Sequence, residues 1–191
     1  MKKLLPYISV GVVCLVLGYT LPKVSNNDLP SDLSSRIVDS IGARQIVEFY
    51  GSPSGVEERL RYFRDDQSIR PINLPDLNAF IREKFDPDVS RPEDAIKDFI
   101  KLHNGWEQVV LSSPEDIPGF SPNQLDQDLS NLTLSPVKTV SDSETISVMY
   151  TWTQVGGVLR RYKFKTREGQ GPVCCSCITI QTRVGEFKLL E

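Results

Sequence analysis

TISVMYTWTQVGGVLRRYKFKT, residues 145–166, alternates in side-chain character with a period of two on both sides of Gly156 and Gly157. That period belongs to a strand with unlike faces, and a Gly-Gly pair supplies the positive φ angles of a tight two-residue turn. The stretch reads as a β-hairpin. A two-residue turn sets Val155 opposite Val158, and so Trp152 opposite Arg161 and Tyr150 opposite Lys163. One face then carries Tyr150, Trp152, Arg161, Lys163 and Lys165, while the other carries Met149, Thr151, Tyr162 and Phe164 and reads as the core side. Aromatic rings beside a basic row suit cation–π contacts and an acidic protein partner or lipid headgroups, which makes these five residues the candidate partner-binding face. The alternative is a solvated face on which long basic side chains cover the rings.

Working outward, residues 107–111, 137–140, 145–154, 159–166, 173–182 and 186–190 are strand candidates. Residues 112–131 form a Pro-rich connection with a short helix opened by Ser121 and Pro122. Upstream, residues 36–105 read as helical. Ile37, Ile41 and Ala43 precede Ile46, Val47, Phe49 and Tyr50, a second run that also fits a short strand. Ser54 and Glu57 form a capping box before VEERLRYFRDD, with Leu60 and Phe63 repeating on one face. Leu77, Phe80, Ile81 and Phe85 give an amphipathic helix ended by Pro87. Ser90, Pro92 and Glu93 open another, carrying Ile96, Phe99 and Ile100, with Gly105 as its left-handed terminus.

Helices first and hairpin strands afterwards predict an α+β domain over residues 36–191, with several helices packed on one face of a curved antiparallel sheet. That succession resembles, in element order alone, the cone-shaped fold of the nuclear-transport-factor-2-like superfamily. Such a fold permits a pocket between sheet and helices.

Residues 4–21 (LLPYISVGVVCLVLGYTL) carry no charge and follow Lys2 and Lys3. As a helix they reach about 27 Å, close to the thickness of a bilayer's hydrocarbon core. Residues 1–24 are therefore expected to be a signal-anchor helix, and 25–35, rich in Ser, Asn, Asp and Pro, a flexible tether. The small-x-small pattern of a cleavage site is lacking between residues 20 and 30, which favours retention over cleavage. The positive charge ahead of the span predicts a cytoplasmic N-terminus and a periplasmic, luminal or extracellular domain. Without Lys2 and Lys3 the 22 basic residues fall to 20 against 25 acidic ones, a balance that argues against a general nucleic-acid binder.

The most unusual local feature is Cys174, Cys175, Ser176, Cys177, whose cysteines are thiol or disulfide candidates. The C-x-x-C spacing suits redox chemistry when a helix N-terminus lowers the thiol pKa, but Ile178, Thr179, Ile180 and Gln181 read as strand. Structural zinc needs four ligands, and beside the three thiols there are only His103 and Cys14 of the apolar segment. On a strand, Cys175 and Cys177 share one face and Cys174 takes the other, as packed thiols or with a local disulfide.

His103 is the only histidine, so any serine or cysteine triad must use it; in the last turn of a helix its charged form is favoured by the helix dipole. Asp86, Asp88 and Ser90 begin like a calcium loop, but Arg91 and Lys97 occupy the glycine and glutamate positions. Asp65 with Asp66 and Glu115 with Asp116 read as solvated surface or acid/base pairs. Asn131-Leu132-Thr133 matches a glycosylation acceptor, and the phosphate-loop, dinucleotide and hydrolase-elbow patterns are missing.

With no complete catalytic, cofactor or metal constellation, the expectation is a membrane-anchored binding or assembly module for a protein partner on the trans side. The rivals are a small-ligand or enzymatic domain with a pocket where Glu48, Tyr50 or His103 converge, and a thiol or metal protein built on the cysteine cluster.

Overall fold

A computed structural model of the chain describes residues 33–52, 58–66, 68–126 and 133–189. The expected anchor, most of the tether, the Ser54–Glu57 capping box, and Asn131 and Leu132 lie outside the described residues. Among the described residues no helix is long and apolar enough to cross a membrane.

The described residues form a mixed α+β fold of two antiparallel sheets and two α-helices. β1 (Ser34–Ile41), β2 (Arg44–Gly51), β3 (Glu58–Arg64) and β4 (Ile69–Pro71) form a meander in sequential order. α1 (Leu74–Lys84) and α2 (Pro92–His103) follow. The second sheet holds β5 (Val109–Val110), β6 (Val137–Val140), β7 (Thr145–Thr153), β8 (Val158–Thr166) and β9 (Val173–Gln181), in the order β5-β7-β8-β9 with β6 also paired to β7.

Several expectations for the N-terminal half are overturned. Strands replace the helices expected between residues 36 and 71, the short-strand alternative for the run from Ile46 to Tyr50 being the one realised, in β2; among the described residues two α-helices stand where several were expected, and β1 begins inside the expected tether. Ile46, Val47, Glu48 and Phe49 are buried consecutively because both faces of β2 are packed, Ile46 in the main core and Val47 and Phe49 in a small cluster with Ile69, Leu33 and Tyr62. In β3, Phe63 lies in the main core while Leu60, three residues earlier, is exposed on the opposite face. A helix would have placed them together; a period of two separates them. Strands therefore precede the helices, and the element order that resembled the nuclear-transport-factor-2-like cone is not the order of this chain.

The helices stand where expected, with different ends. Asn73 caps α1 by accepting from the Asp76 amide at 2.8 Å, and Phe85 leaves the helix before Pro87. α2 begins at Pro92 with Arg91 at the cap position and no side-chain cap bond, so Ser90 falls one residue too early. Gly105 does not take the left-handed conformation expected of it. Its requirement is space: a Cβ there would lie 2.7 Å from the Arg59 carbonyl oxygen, where the turn after α2 crosses β3.

Both helices pack between the sheets. Leu77, Phe80, Ile96, Phe99 and Ile100 meet Ile46 and Phe63 of the first sheet and Tyr162, Phe164 and Cys174 of the second. Phe99 meets Phe164 edge-on, with ring centroids 5.3 Å apart. The hairpin is offset from the expected register: Thr153 pairs Val158, Trp152 pairs Leu159 and Tyr150 pairs Arg161. The reason lies in the C-terminal segment. Lys188 exchanges backbone bonds with Gln154 and Gly156, and Val184 bonds the Gly157 carbonyl, drawing residues 154–157 into a four-residue loop. The strand expected at 186–190 is reduced to a bridge at Lys188. A shift of two residues leaves every side chain on its expected face.

Gly105→Ala should cost about 1–3 kcal/mol, because the added carbon meets backbone that cannot rotate away. Urea denaturation of the variant beside the parent chain measures this loss.

Candidate functional site

Cross-strand partners in an antiparallel sheet point to the same side. The outer face of the second sheet, away from the helices, therefore carries Tyr150, Arg161 and Ile178 in one row and Val137, Val148, Lys163 and Ser176 in the next. Lys165 lies in the row beyond, opposite Ile146. The five candidate partner-binding residues do share a face, but its two ends differ. Tyr150 and Trp152 are only 5% and 2% exposed, packed in a second core with Leu111, Ile117, Leu134, Leu159 and Val184. The Trp152 indole N–H donates to the Val184 carbonyl at 2.8 Å. The expectation of bare aromatic rings is thus corrected: the segments after β5 and β9 fold back and roof them. Arg161, Lys163 and Lys165 remain exposed. Lys165 pairs with Glu144 at 3.2 Å, whereas Arg161 and Lys163 have no ion pair among the described residues.

The cysteines are arranged differently from the regular-strand expectation. Phe164 pairs Cys174 and Lys163 pairs Ser176, so Cys175 is the extra residue of a β-bulge. One inserted residue inverts the parity: Cys174 and Cys177 both pack toward the main core, and Cys175 is exposed. All three are free thiols. Burial pushes Cys174 up to about 12 and also raises Cys177, so both stay protonated at neutral pH. Among the described residues no three His, Cys, Asp or Glu side chains gather into a metal-holding group.

His103 lies where α2 meets this strand. Its Nδ1 is 3.1 Å from the Tyr162 hydroxyl and 3.9 Å from Cys177 Sγ, and its ring stacks on Phe99. The Tyr162 and Thr151 hydroxyls donate to Gln108 Oε1 at 3.2 and 2.8 Å, and Gln108 Nε2 donates to the Ile100 carbonyl at 2.9 Å. Burial, with a smaller contribution from Arg160, lowers His103 to about 4. The imidazole is therefore neutral at pH 7, contrary to the charged helix cap expected from its position. A neutral imidazole beside a protonated thiol is not an activated nucleophile pair. The network seals the end of α2 onto β8.

The residues proposed to converge on a pocket do not. Glu48 is fully buried between Arg36 and Arg61, Tyr50 lies exposed under the Arg36 guanidinium, and His103 belongs to the network above. Asp116 caps a surface turn by accepting from the Ser112 and Ser113 amides, and Asp65 accepts from Ser68 and Arg70.

Sequence reasoning missed the cationic ladder of β3, where Arg59 and Arg61 share the inward face with Phe63. The alternation R-L-R-Y-F carried that signal. Arg61 reaches Glu48, and Arg59 lies over the Trp106 ring with its guanidinium carbon 5.1 Å from the centroid. Among the described residues the fold is thus a two-sheet α+β domain with an apolar core and exposed basic side chains on the outer face of its second sheet. The chain matches no family model, no curated protein and no solved structure.

His103 sets a pH dependence whose sign follows from its lowered pKa. Unfolded chain takes up a proton near pH 6.5 and folded chain only near 4, so stability falls as pH drops through that window, by about 3 kcal/mol. Denaturant titrations from pH 7 to pH 4 should show this loss, and His103→Gln should flatten it.

Proposed function

We propose that the chain is a single-pass membrane-anchored binding or assembly module that holds a protein partner on the trans side of the membrane. In this reading the apolar residues 4–21 are the anchor, and the outer face of the second sheet is the contact. The observation that carries it is the basic pair Arg161 and Lys163, exposed and without ion-pair partners among the described residues. On the same face stand Ile178 and Val137, 41% and 47% exposed. Cations beside apolar side chains on a sheet suit a partner surface that is acidic with an apolar centre. Further support comes from the interior, which is filled by apolar side chains.

A photocrosslinker placed at position 163 in the membrane-embedded full chain should capture a partner that the same group at Asp142 does not. Arg161→Glu combined with Lys163→Glu should reduce co-recovery of that partner about ten-fold. Unchanged recovery, or equal crosslinking from both positions, would contradict the assignment. Trp152 is unsuitable for this test, because its loss would disturb the second core.

A further inference from the structure

β9 lies at the end of the second sheet, paired to β8 alone. Its nine residues, VCCSCITIQ, include neither a charge nor a proline, two of the usual guards of an exposed strand edge. The neighbouring β8 carries Arg160, Arg161, Lys163 and Lys165. Ile178 is 41% exposed, and Cys175 and Thr179 are exposed as well.

Which backbone groups of β9 point off the sheet follows from one contact. The Asn78 side chain of α1 accepts from the Cys174 amide at 2.8 Å and donates to the Cys174 carbonyl at 2.9 Å, doing for this residue what a further strand would do. Cys174 therefore directs both groups away from β8. On a regular antiparallel strand every second residue does so. The bulge at Cys175 adds one residue, so the next two of this kind are Cys177 and Thr179. Among the described residues neither backbone is met from off the sheet.

The plainest account of such a strand is a hydrated edge protected by its bulges. That covers the two ends, where the bulges fall at Cys175 and Ile180. Between them residues 176–179 pair regularly with residues 160–163 and have no guard. Two amides and two carbonyls stand free there beside an exposed isoleucine.

This stretch is complementary to itself. Antiparallel pairing about a two-fold axis at Ile178 sets Cys177 opposite Thr179 of a second copy, and Thr179 opposite its Cys177, so the free backbone groups of each copy meet those of the other. Ile178 faces its own mate in a non-hydrogen-bonded position, apolar against apolar, with Cα atoms about 4.5 Å apart. No like charges are brought together: Arg161 and its mate stand three strand spacings apart, about 14 Å, beyond the screening length at physiological salt. A foreign strand would have to reproduce these features, whereas a second copy has them by symmetry.

We infer that β9 pairs with β9 of a second copy of this chain, antiparallel about Ile178, joining two second sheets into one. The pairing is short and therefore weak. It leaves Arg161 and Lys163 open on the outer face and does not depend on what that face binds.

The test uses the full chain in neutral detergent micelles, carrying Cys14→Ser, Cys175→Ser and Ile178→Cys, oxidised by copper phenanthroline in air. Facing positions lie within disulfide reach, so a covalent dimer should form at least about five-fold faster than from Ser143→Cys in the same background. Ser143 is exposed in the turn between β6 and β7. The native Cys175, with Ile178 in place, should link slowly, because the register sets it opposite Gln181 and about 20 Å from its mate. Thr179→Pro removes an edge amide and Thr179→Lys adds a charge at an exposed position; each should slow linkage through Ile178→Cys about five-fold, with circular dichroism checking that both fold. The inference is overturned if position 178 links no faster than 143, if Cys175 links as fast as 178, or if neither Thr179 change slows the reaction. Association through residues 4–21 alone gives equal rates at all three positions and so overturns it too.

Discussion

A carboxylate with no solvent exposure, Glu48 on β2, ties the first sheet to the rest of the molecule. Burying a charge costs several kcal/mol unless its oxygens are met by well-placed donors. Arg36 donates to one oxygen at 2.8 and 2.5 Å, and Arg61 to the other at 3.0 and 2.9 Å. The two partners differ. Arg36 is mostly exposed, while Arg61 is only 10% exposed and also donates to the carbonyl of Lys101 in α2. Burial lowers the Arg61 pKa and the bonds to Glu48 oppose that shift, a balance that leaves the guanidinium charged. The clamp thus runs from β1 through β2 and β3 to the last turn of α2.

That last turn organises everything downstream. Its apolar side packs Phe99 and Ile100 into the main core. Its end hands one carbonyl to Arg61 and another to Gln108, which also accepts from Tyr162 and Thr151 of the second sheet. The two sheets are therefore joined through the same few backbone groups, from one side by a charged network and from the other by a neutral one. Gly105 lets the turn beyond cross the backbone of Arg59 closely, bringing Trp106 beneath the Arg59 guanidinium.

Some of this is legible in the sequence. α1 and α2 were visible because their apolar spacing of three and four, with Pro87 and Pro92 as boundaries, has no competing period. β6 and the β7–β8 hairpin were visible through alternation and the Gly-Gly pair. The first sheet was hidden for two reasons. β2 is buried on both faces and shows no alternation, and the arginines of β3 face inward, where a pattern of apolar positions does not anticipate charge. The arrangement of the cysteines turned on a single bulged residue, which inverts parity without leaving a mark in composition. Burial of Tyr150 and Trp152 depends on segments more than thirty residues away in places, such as Ile117 and Val184, and strand-level reasoning does not reach so far. The stacking of Arg59 on Trp106 is invisible for the same reason, since the two come together only through the close crossing at Gly105.

The clamp is tested most directly by a double-mutant cycle in urea on Glu48→Gln, Arg61→Gln and their combination. Glu48→Gln alone should cost about 3–5 kcal/mol, because two guanidinium groups lose their shared anion. The double variant should be more stable than the sum of the single losses implies, by at least about 1 kcal/mol. Single losses below about 1 kcal/mol that simply add would contradict it.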